Sequence, residues 1–205
     1  MSKKETVKGN LHSQIDNLEH FIESFSADKI HIAEYNENST SYLLKSINFE
    51  NKTCNIEIRR SQGKDVETIP FDDSKVFTIY HSGEICFIPI DGKGLLKTGH
   101  CDFVFFNEQY FCFVEMKLNA TSMNAQTIED NRKKAVRQLK HTINYFNTQL
   151  SNNYAGLLLE AYIATPDTYP RKDTAFQSIE VQFLEEMGLG LFESREIRYD
   201  NGDHI

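Results

Sequence analysis

A chain of 205 residues, 40% of them hydrophobic, is long enough to bury one core and too short for two independent ones. Its formal net charge of -8 excludes a protein that coats nucleic acid non-specifically, a mode that rests on excess Lys and Arg, but leaves room for a local basic face. The lack of any run of eighteen apolar residues excludes a membrane-spanning helix, and four scattered cysteines without CxxC spacing, with no secretory apolar region after Met1 to Gly9, predict reduced thiols and a cytoplasmic protein.

Residues 1–9 are polar and read as a flexible leader. From Asn10 to Phe25 the apolar residues Leu11, Ile15, Leu18, Ile22 and Phe25 recur at three- and four-residue steps, predicting an amphipathic helix with Glu19 about 80° from the centre of its stripe. Between Lys29 and Ile90 the period changes to short β-type runs, KIHIAEY, SYLLKSINFE, TCNIEIRR, KVFTIYH and EICFIPI, parted by turns such as Asn51-Lys52, Gly63-Lys64 and Ser82-Gly83. Asp91 to Gly99 is glycine-rich and reads as a loop, and Gly99 to Leu118, GHCDFVFFNEQYFCFVEMKL, as a hairpin turning at Asn107-Glu108-Gln109. A long helix is expected from near Thr127, where Thr127 and Asp130 have capping-box spacing, to the Ser151-Asn152-Asn153 cluster. Gly156 to Thr165 then reads as a buried strand ending at Pro166, Ala175 to Met187 as a helix stopped by Gly188, and Leu191 to Tyr199 as a last strand.

The hairpin carries Asp102, Glu115 and Lys117 within an otherwise apolar run. A buried charge costs several kcal/mol unless it is paired or bound to metal, so these three need a reason. Alternation along the strand puts Glu115 and Lys117 on one face with Phe113. Asp102 joins that face if the loop is even: a two-residue loop sets it diagonal to Glu115, a four-residue loop directly opposite, and a three-residue loop on the far side. On one face, two carboxylates about 5 to 8 Å apart can share a hard cation, Mg²⁺ or Mn²⁺, with the Met116 carbonyl as a further ligand and Lys117 beside the attacking water.

Asp102 followed by Glu115-Met116-Lys117 at the end of an apolar strand resembles the D…ExK core of the PD-(D/E)XK nuclease superfamily. The resemblance implies an α/β (α+β) domain with a restriction-endonuclease-like αβββαβ core, a mixed sheet flanked by helices. It covers residues 10–165: the helix at 10–25, a β-rich insertion at 29–75, and the rest of the core at 76–165, with 166–205 adding a helix and strand. It further implies metal-dependent hydrolysis of phosphodiester bonds in DNA, with Asp102 and Glu115 as ligands, Lys117 as the catalytic lysine, Gln138 on the second helix in support, and Glu19 on the first helix as a further ligand. Two departures stand out, Cys101 where a proline often precedes the Asp, and Thr142 where the RecB-like subgroup has Tyr. Asn131 and Tyr145 share the helix edge of Gln138.

Five basic against two acidic residues fall between Glu129 and His141, which makes Lys133, Lys134, Arg137 and Lys140 candidates for contacting phosphates or else a solvated helix face. His100 is a candidate proton carrier or supporting group, and Asp91 a second candidate partner for Glu115. Nucleases that cut both strands often act as homodimers, although no pairing motif is visible. Two other readings stay open: a cross-strand ion pair between Asp102 and Lys117 with Glu115 solvated, and a non-catalytic nuclease-fold module for protein assembly or nucleic-acid binding.

Overall fold

The structure, a computed structural model, describes residues 1–35, 40–60, 63–91, 96, 99–171 and 173–199. In chain order the elements are α1 (Lys3–Gln14), β1 (Glu23–Ser26), β2 (Lys29–Tyr35), β3 (Thr40–Leu43), β4 (Lys45–Asn48), β5 (Thr53–Arg60), β6 (Gly63–Pro70), β7 (Phe77–Tyr80), β8 (Glu84–Pro89), β9 (Phe103–Phe106), β10 (Tyr110–Met116), α2 (Ala125–Gln149), β11 (Leu158–Ala164), α3 (Thr174–Met187), β12 (Gly190–Glu193) and β13 (Glu196–Arg198). Most of the expected glycine-rich loop, residues 92–95 and 97–98, lies outside the described residues, as do residues 200–205.

The architecture is mixed α/β, with three helices around a six-stranded sheet of order β1-β8-β9-β10-β11-β12. The β1, β8, β9 and β10 neighbours pair antiparallel, whereas β11 and β12 run parallel to the strand before them in the sheet. The connection from β10 to β11 is α2, the crossover that a parallel pair requires. One face of the sheet, with Val104, Phe106, Phe111 and Phe113, packs on Leu139, Ile143 and Phe146 of α2 and on Val7 and Leu11 of α1. The other face, with Phe103, Phe105, Val114 and Met116, packs on Ile30, Ile32, Phe77 and Ile79 of a second sheet ordered β13-β7-β2-β3. A third sheet, β4-β5-β6, closes its own small core around Cys54, Ile56 and Ile69. The central strands are therefore covered on both sides, which explains why they read as nearly continuous apolar runs.

Several expected boundaries move. The first helix spans Lys3–Gln14, so the expected leader is helical, capped by the Ser2 hydroxyl accepting from the Glu5 N–H. It stops because the chain leaves helical geometry at Ile15 and turns left-handed at Asn17 (φ 57°), before a short 3₁₀ turn at Leu18–His20 and strand β1. The apolar stripe is nonetheless buried, as Leu11, Ile15, Leu18 and Ile22 all enter the core; periodicity reported the buried face and not the backbone along it. The expected insertion is not closed at residue 75, because β7 joins β2 and β3 in the second sheet rather than the central one. Helix α2 begins at Ala125 under an Asn124 cap that accepts from Gln126 and Thr127 N–H, in place of the expected Thr127–Asp130 box. The expected last strand divides at Ser194-Arg195 into β12 in the central sheet and β13 in the second. Helix α3 ends at Gly188, which takes the left-handed conformation (φ 71°) that favours glycine.

Candidate metal centre

The hairpin register decides where the charges meet. Phe106 pairs with Phe111 and Phe103 with Val114, the four-residue parity, and the paired register ends there, with Asp102 and Glu115 each one residue beyond it. The turn is set by Asn107, whose side-chain oxygen accepts from Gln109 N–H at 2.7 Å and from Tyr110 N–H at 2.8 Å. Two further bonds hold the site end: Asp102 N–H donates to the Val114 carbonyl at 3.0 Å, and Met116 N–H donates to Asp102 Oδ2. Both carboxylates are sealed, with Glu115 1% and Asp102 4% exposed.

Lys117 follows at the strand end and stays on the Glu115 face. Its ammonium donates to Glu115 Oε1 and lies 3.3 Å from Gln138 Oε1 and 3.4 Å from the Met116 carbonyl. Gln138, on α2, also donates to the His100 carbonyl at 2.8 Å, so the helix ties the lysine to the segment that leads into Asp102. Thr142, one turn on, accepts from Cys101 N–H at 2.9 Å, using its small side chain to fasten that same segment. Asn131 donates to the Tyr169 hydroxyl at 2.9 Å and Tyr145 packs edge-on against Phe146, so neither reaches this centre through a hydrogen bond.

Two further carboxylates come in from other elements. Glu34 on β2, Asp91 after β8 and Asp102 each present a ligand oxygen, all within 4.8 Å of one another. Asp91 is held by His100 Nδ1 at 3.0 Å, and Glu34 accepts from Asn119 at 2.6 Å. Burial, then the hydrogen bond and charge of Asp91, push the Asp102 carboxyl well above the usual range. Burial, then the charge of Asp102, push Glu115 well up in the same way, against the pull of Lys117. Burial likewise lifts Asp91 to about 6, with the charges of Glu115 and Glu34 adding to it against the Asp102 hydrogen bond. Lys117 loses solvation, but Glu115 outweighs that and raises its pKa, so the ammonium stays charged. Among the described residues this crowd of acids lacks cationic charge beyond Lys117 and the His100 ring.

One atom states that lack most directly. Glu115 Oε2 is buried and has no hydrogen-bond partner among the described residues. A carboxylate oxygen left without a donor in the interior is costly, and a bound cation removes the cost. Donors that are all oxygen suit a hard ion, Mg²⁺ or Mn²⁺, rather than a thiolate-seeking metal. The residues therefore fit the group that the sequence implied.

Other expected site residues fall elsewhere. Glu19 sits exposed on the 3₁₀ turn, 3.7 Å from His20, because the helix meant to carry it ends at Gln14. Glu34, which sequence reasoning missed, comes within 4.8 Å of Asp91 and Asp102 instead. The signal was present, since Glu34 has the parity of the buried Ile30 and Ile32 and so continues the inward face of β2. On α2, Arg132 turns inward and is buried by Glu193 at 2.7 and 2.9 Å, Asp173 at 2.7 Å and the Pro170 carbonyl at 2.8 Å. Lys133 pairs with Glu129 and Lys140 with Glu186, whereas Lys134 and Arg137 are exposed. Lys134 lies one turn before Gln138, about 40° around the helix from it.

Compared with models of known families, with curated proteins and with solved structures, the chain gives no match. The chemistry of the site is therefore read from its own geometry.

Proposed function

We propose that this chain is a Mg²⁺-dependent nuclease of the PD-(D/E)XK type that hydrolyses phosphodiester bonds in DNA. The sequence of α1, β8, β9, β10, α2 and β11 supports the αβββαβ reading, with β9 led by Asp102 and β10 ending on Glu115 and Lys117. The observation that carries the reading is Glu115 Oε2, buried and without a donor among the described residues, at the strand end where the hairpin also brings Asp102.

Asp102, Glu115 and the Met116 carbonyl would hold the ion. Bound there, Mg²⁺ supplies a water of lowered pKa and a positive charge against the phosphate oxygens. Lys117, whose long contact to the Met116 carbonyl at 3.4 Å is the one most readily given up, turns an N–H to the attacking water and offsets charge gathering on phosphorus. Gln138 positions Lys117 by its side-chain oxygen while its amide grips the His100 carbonyl, which fixes the lysine relative to Asp102. The oxygen of water bonds to phosphorus and its proton passes to bulk solvent, while the bond to the leaving oxygen breaks and that oxygen takes a proton from bulk solvent to leave as an alcohol. Lys134 and Arg137, exposed beside Gln138, supply contacts to flanking phosphates.

A second reading, a non-catalytic module on the same fold, draws on one observation: Asp102 and Glu115 are almost wholly enclosed. The test separates them. Plasmid, linear and single-stranded DNA, and RNA, are incubated with the protein and Mg²⁺ or Mn²⁺, beside EDTA and a Glu115→Ala variant. The nuclease reading expects cleavage of DNA that EDTA and the variant both abolish; cleavage that survives in Glu115→Ala, or none with any substrate, contradicts it.

A further inference from the structure

The second sheet has two faces, and only one of them is used by the core. Ile30, Ile32, Phe77, Ile79 and Ile197 pack on the central sheet. By strand alternation Lys29, His31, Thr78, Tyr80 and Glu196 belong to the other face, where the register sets Lys29 opposite Tyr80, His31 opposite Thr78, and Thr78 opposite Glu196. Phe49, from the turn after β4, and Phe71, just after β6, join this outer face in lining a cavity of about 240 Å³.

Rings, polar groups and charge in this cavity all suit one unstacked nucleotide. Phe49 is 52% exposed, yet its turn is pinned by Asn48 Oδ1, which accepts from the Glu50 and Asn51 N–H groups, each at 3.0 Å. Its contacts with His31 and Phe71, both 5.8 Å between centroids, are edge-on at 72° and 84°, so no ring of the described residues stacks parallel to it. A fixed ring of this kind is a platform for the flat face of a base. His31 Nδ1 lies 3.1 Å from Thr78 Oγ1, and burial followed by the charge of Lys29 lowers the pKa of its ring; the neutral imidazole offers Nε2 to a base edge. Lys29 makes no salt bridge among the described residues, and its ammonium lies 5.0 Å over the Tyr80 ring at the cavity wall, where it can meet a phosphate.

The cavity also adjoins the candidate metal centre. Phe71 lines both it and an open cleft of about 400 Å³, whose walls include Lys75, Asn119 and Glu34. Glu34 in turn comes within 4.8 Å of Asp91 and Asp102. A strand laid along the cleft runs from the metal centre past Lys75 to Phe71 and the cavity beyond. A duplex cannot follow that course, because its bases are paired and stacked and enter a pocket only when taken out of the stack.

We infer that this cavity holds one base of single-stranded DNA against Phe49, with Lys29 on its phosphate, and that the substrate class of the neighbouring centre is single-stranded DNA; the inference rests on the nuclease reading of that centre. The inserted β-rich region then grips the strand that the central sheet cuts.

The test measures binding apart from cleavage. A fluorescein-labelled single strand of about 12 nucleotides, the duplex and the RNA of the same sequence, and a mononucleotide as competitor are titrated with the full chain in EDTA, and anisotropy is read. Wild type is expected to prefer the single strand to the duplex by about 10-fold or more. Phe49→Ala is expected to weaken single-strand binding by about 10-fold while leaving duplex binding unchanged, and Phe49→Trp to restore it. Lys29→Ala is expected to weaken it too and to reduce the salt slope by about 1. Equal affinity for single strand and duplex, or wild-type binding by both Phe49→Ala and Lys29→Ala, overturns the inference. A mononucleotide that competes as tightly as the strand, or RNA preferred to DNA, overturns single-stranded DNA as the occupant. Phe49-dependent binding in a protein that cuts nothing with Mg²⁺ or Mn²⁺ keeps the cavity's assignment and sinks the nuclease reading. Cleavage of DNA by a Phe49→Ala variant that binds and cuts like wild type sinks the inference alone.

Discussion

Two buried carboxylates flank strand β10, one on each face of the central sheet, and their surroundings differ in kind. Glu160, opposite Cys112 in the neighbouring β11, accepts at Oε2 from the Tyr162 hydroxyl at 2.7 Å and the Tyr199 hydroxyl at 3.0 Å. Tyr199 in turn lies 2.9 Å from the Cys112 sulfur and stacks on Tyr110 at 4.1 Å, so this cluster fastens the residue after β13 to the central sheet. Glu115 has one oxygen on Lys117 and the other on nothing among the described residues, with acids rather than hydroxyls nearby. The comparison teaches how to tell a structural buried acid from a functional one. The first is supplied with donors by its own neighbours, and the second is left short of positive charge for something outside the chain to supply.

If that distinction is sound, the two acids respond oppositely to removal. Glu115→Ala is expected to lower DNA cleavage by on the order of 10³-fold or more while leaving the unfolding temperature unchanged or higher, measured by gel assay and thermal melt on the same preparation. Glu160→Ala is expected to do the reverse: a loss of about 2–4 kcal/mol in denaturant unfolding, because two tyrosine hydroxyls lose their acceptor, with cleavage by the folded protein kept. A destabilised Glu115 variant, or a Glu160 variant that folds well and fails to cut, would dissolve the contrast.

Metal addition sharpens it further. Mg²⁺ at 100 times its dissociation constant is expected to stabilise wild type by about 2.7 kcal/mol, a rise of about 5–10 °C in melting temperature, and to give much less in Glu115→Ala. Smaller still, Lys134→Ala and Arg137→Ala are each expected to weaken DNA binding at all sequences alike and to reduce the salt slope by about 1. The smallest effect belongs to a third acid, Glu57, held down to about 2 by the hydrogen bonds and charges of Lys45 and Lys64 on the third sheet. Its folded pKa is depressed, so its contribution is present above the ordinary value of about 4.5 and is lost as pH falls toward about 2. Because the pair is partly solvated, Glu57→Gln is expected to remove under about 1 kcal/mol at neutral pH and to flatten that acid limb.

How far the sequence reached follows from the same comparison. Period-2 alternation placed Glu115 and Lys117 on one face, and α2 was visible from its stripe, because both are local patterns. The parity of the hairpin was left open, since NEQY admits more than one turn; the two bonds to the Asn107 side chain choose among them. Glu34 lies on another sheet, and its approach to Asp91 and Asp102 is a matter of tertiary packing that no spacing rule encodes. Glu19 was lost for a complementary reason: a continuous apolar stripe does not reveal that Asn17 turns left-handed and ends helical geometry. The burial of Lys4 against Glu84 was likewise beyond reach, and with it the helical state of residues 3–9.

The central claim is that the acids facing α2, and not the acid on the opposite face, are completed by a divalent cation. Anomalous diffraction from crystals grown with Mn²⁺ tests it most directly. The account predicts a peak about 2.0–2.3 Å from carboxylate oxygens of Asp102 and Glu115 and none beside Glu160. A map with no peak at the Asp102–Glu115 pair, at Mn²⁺ concentrations that saturate cleavage, would contradict it.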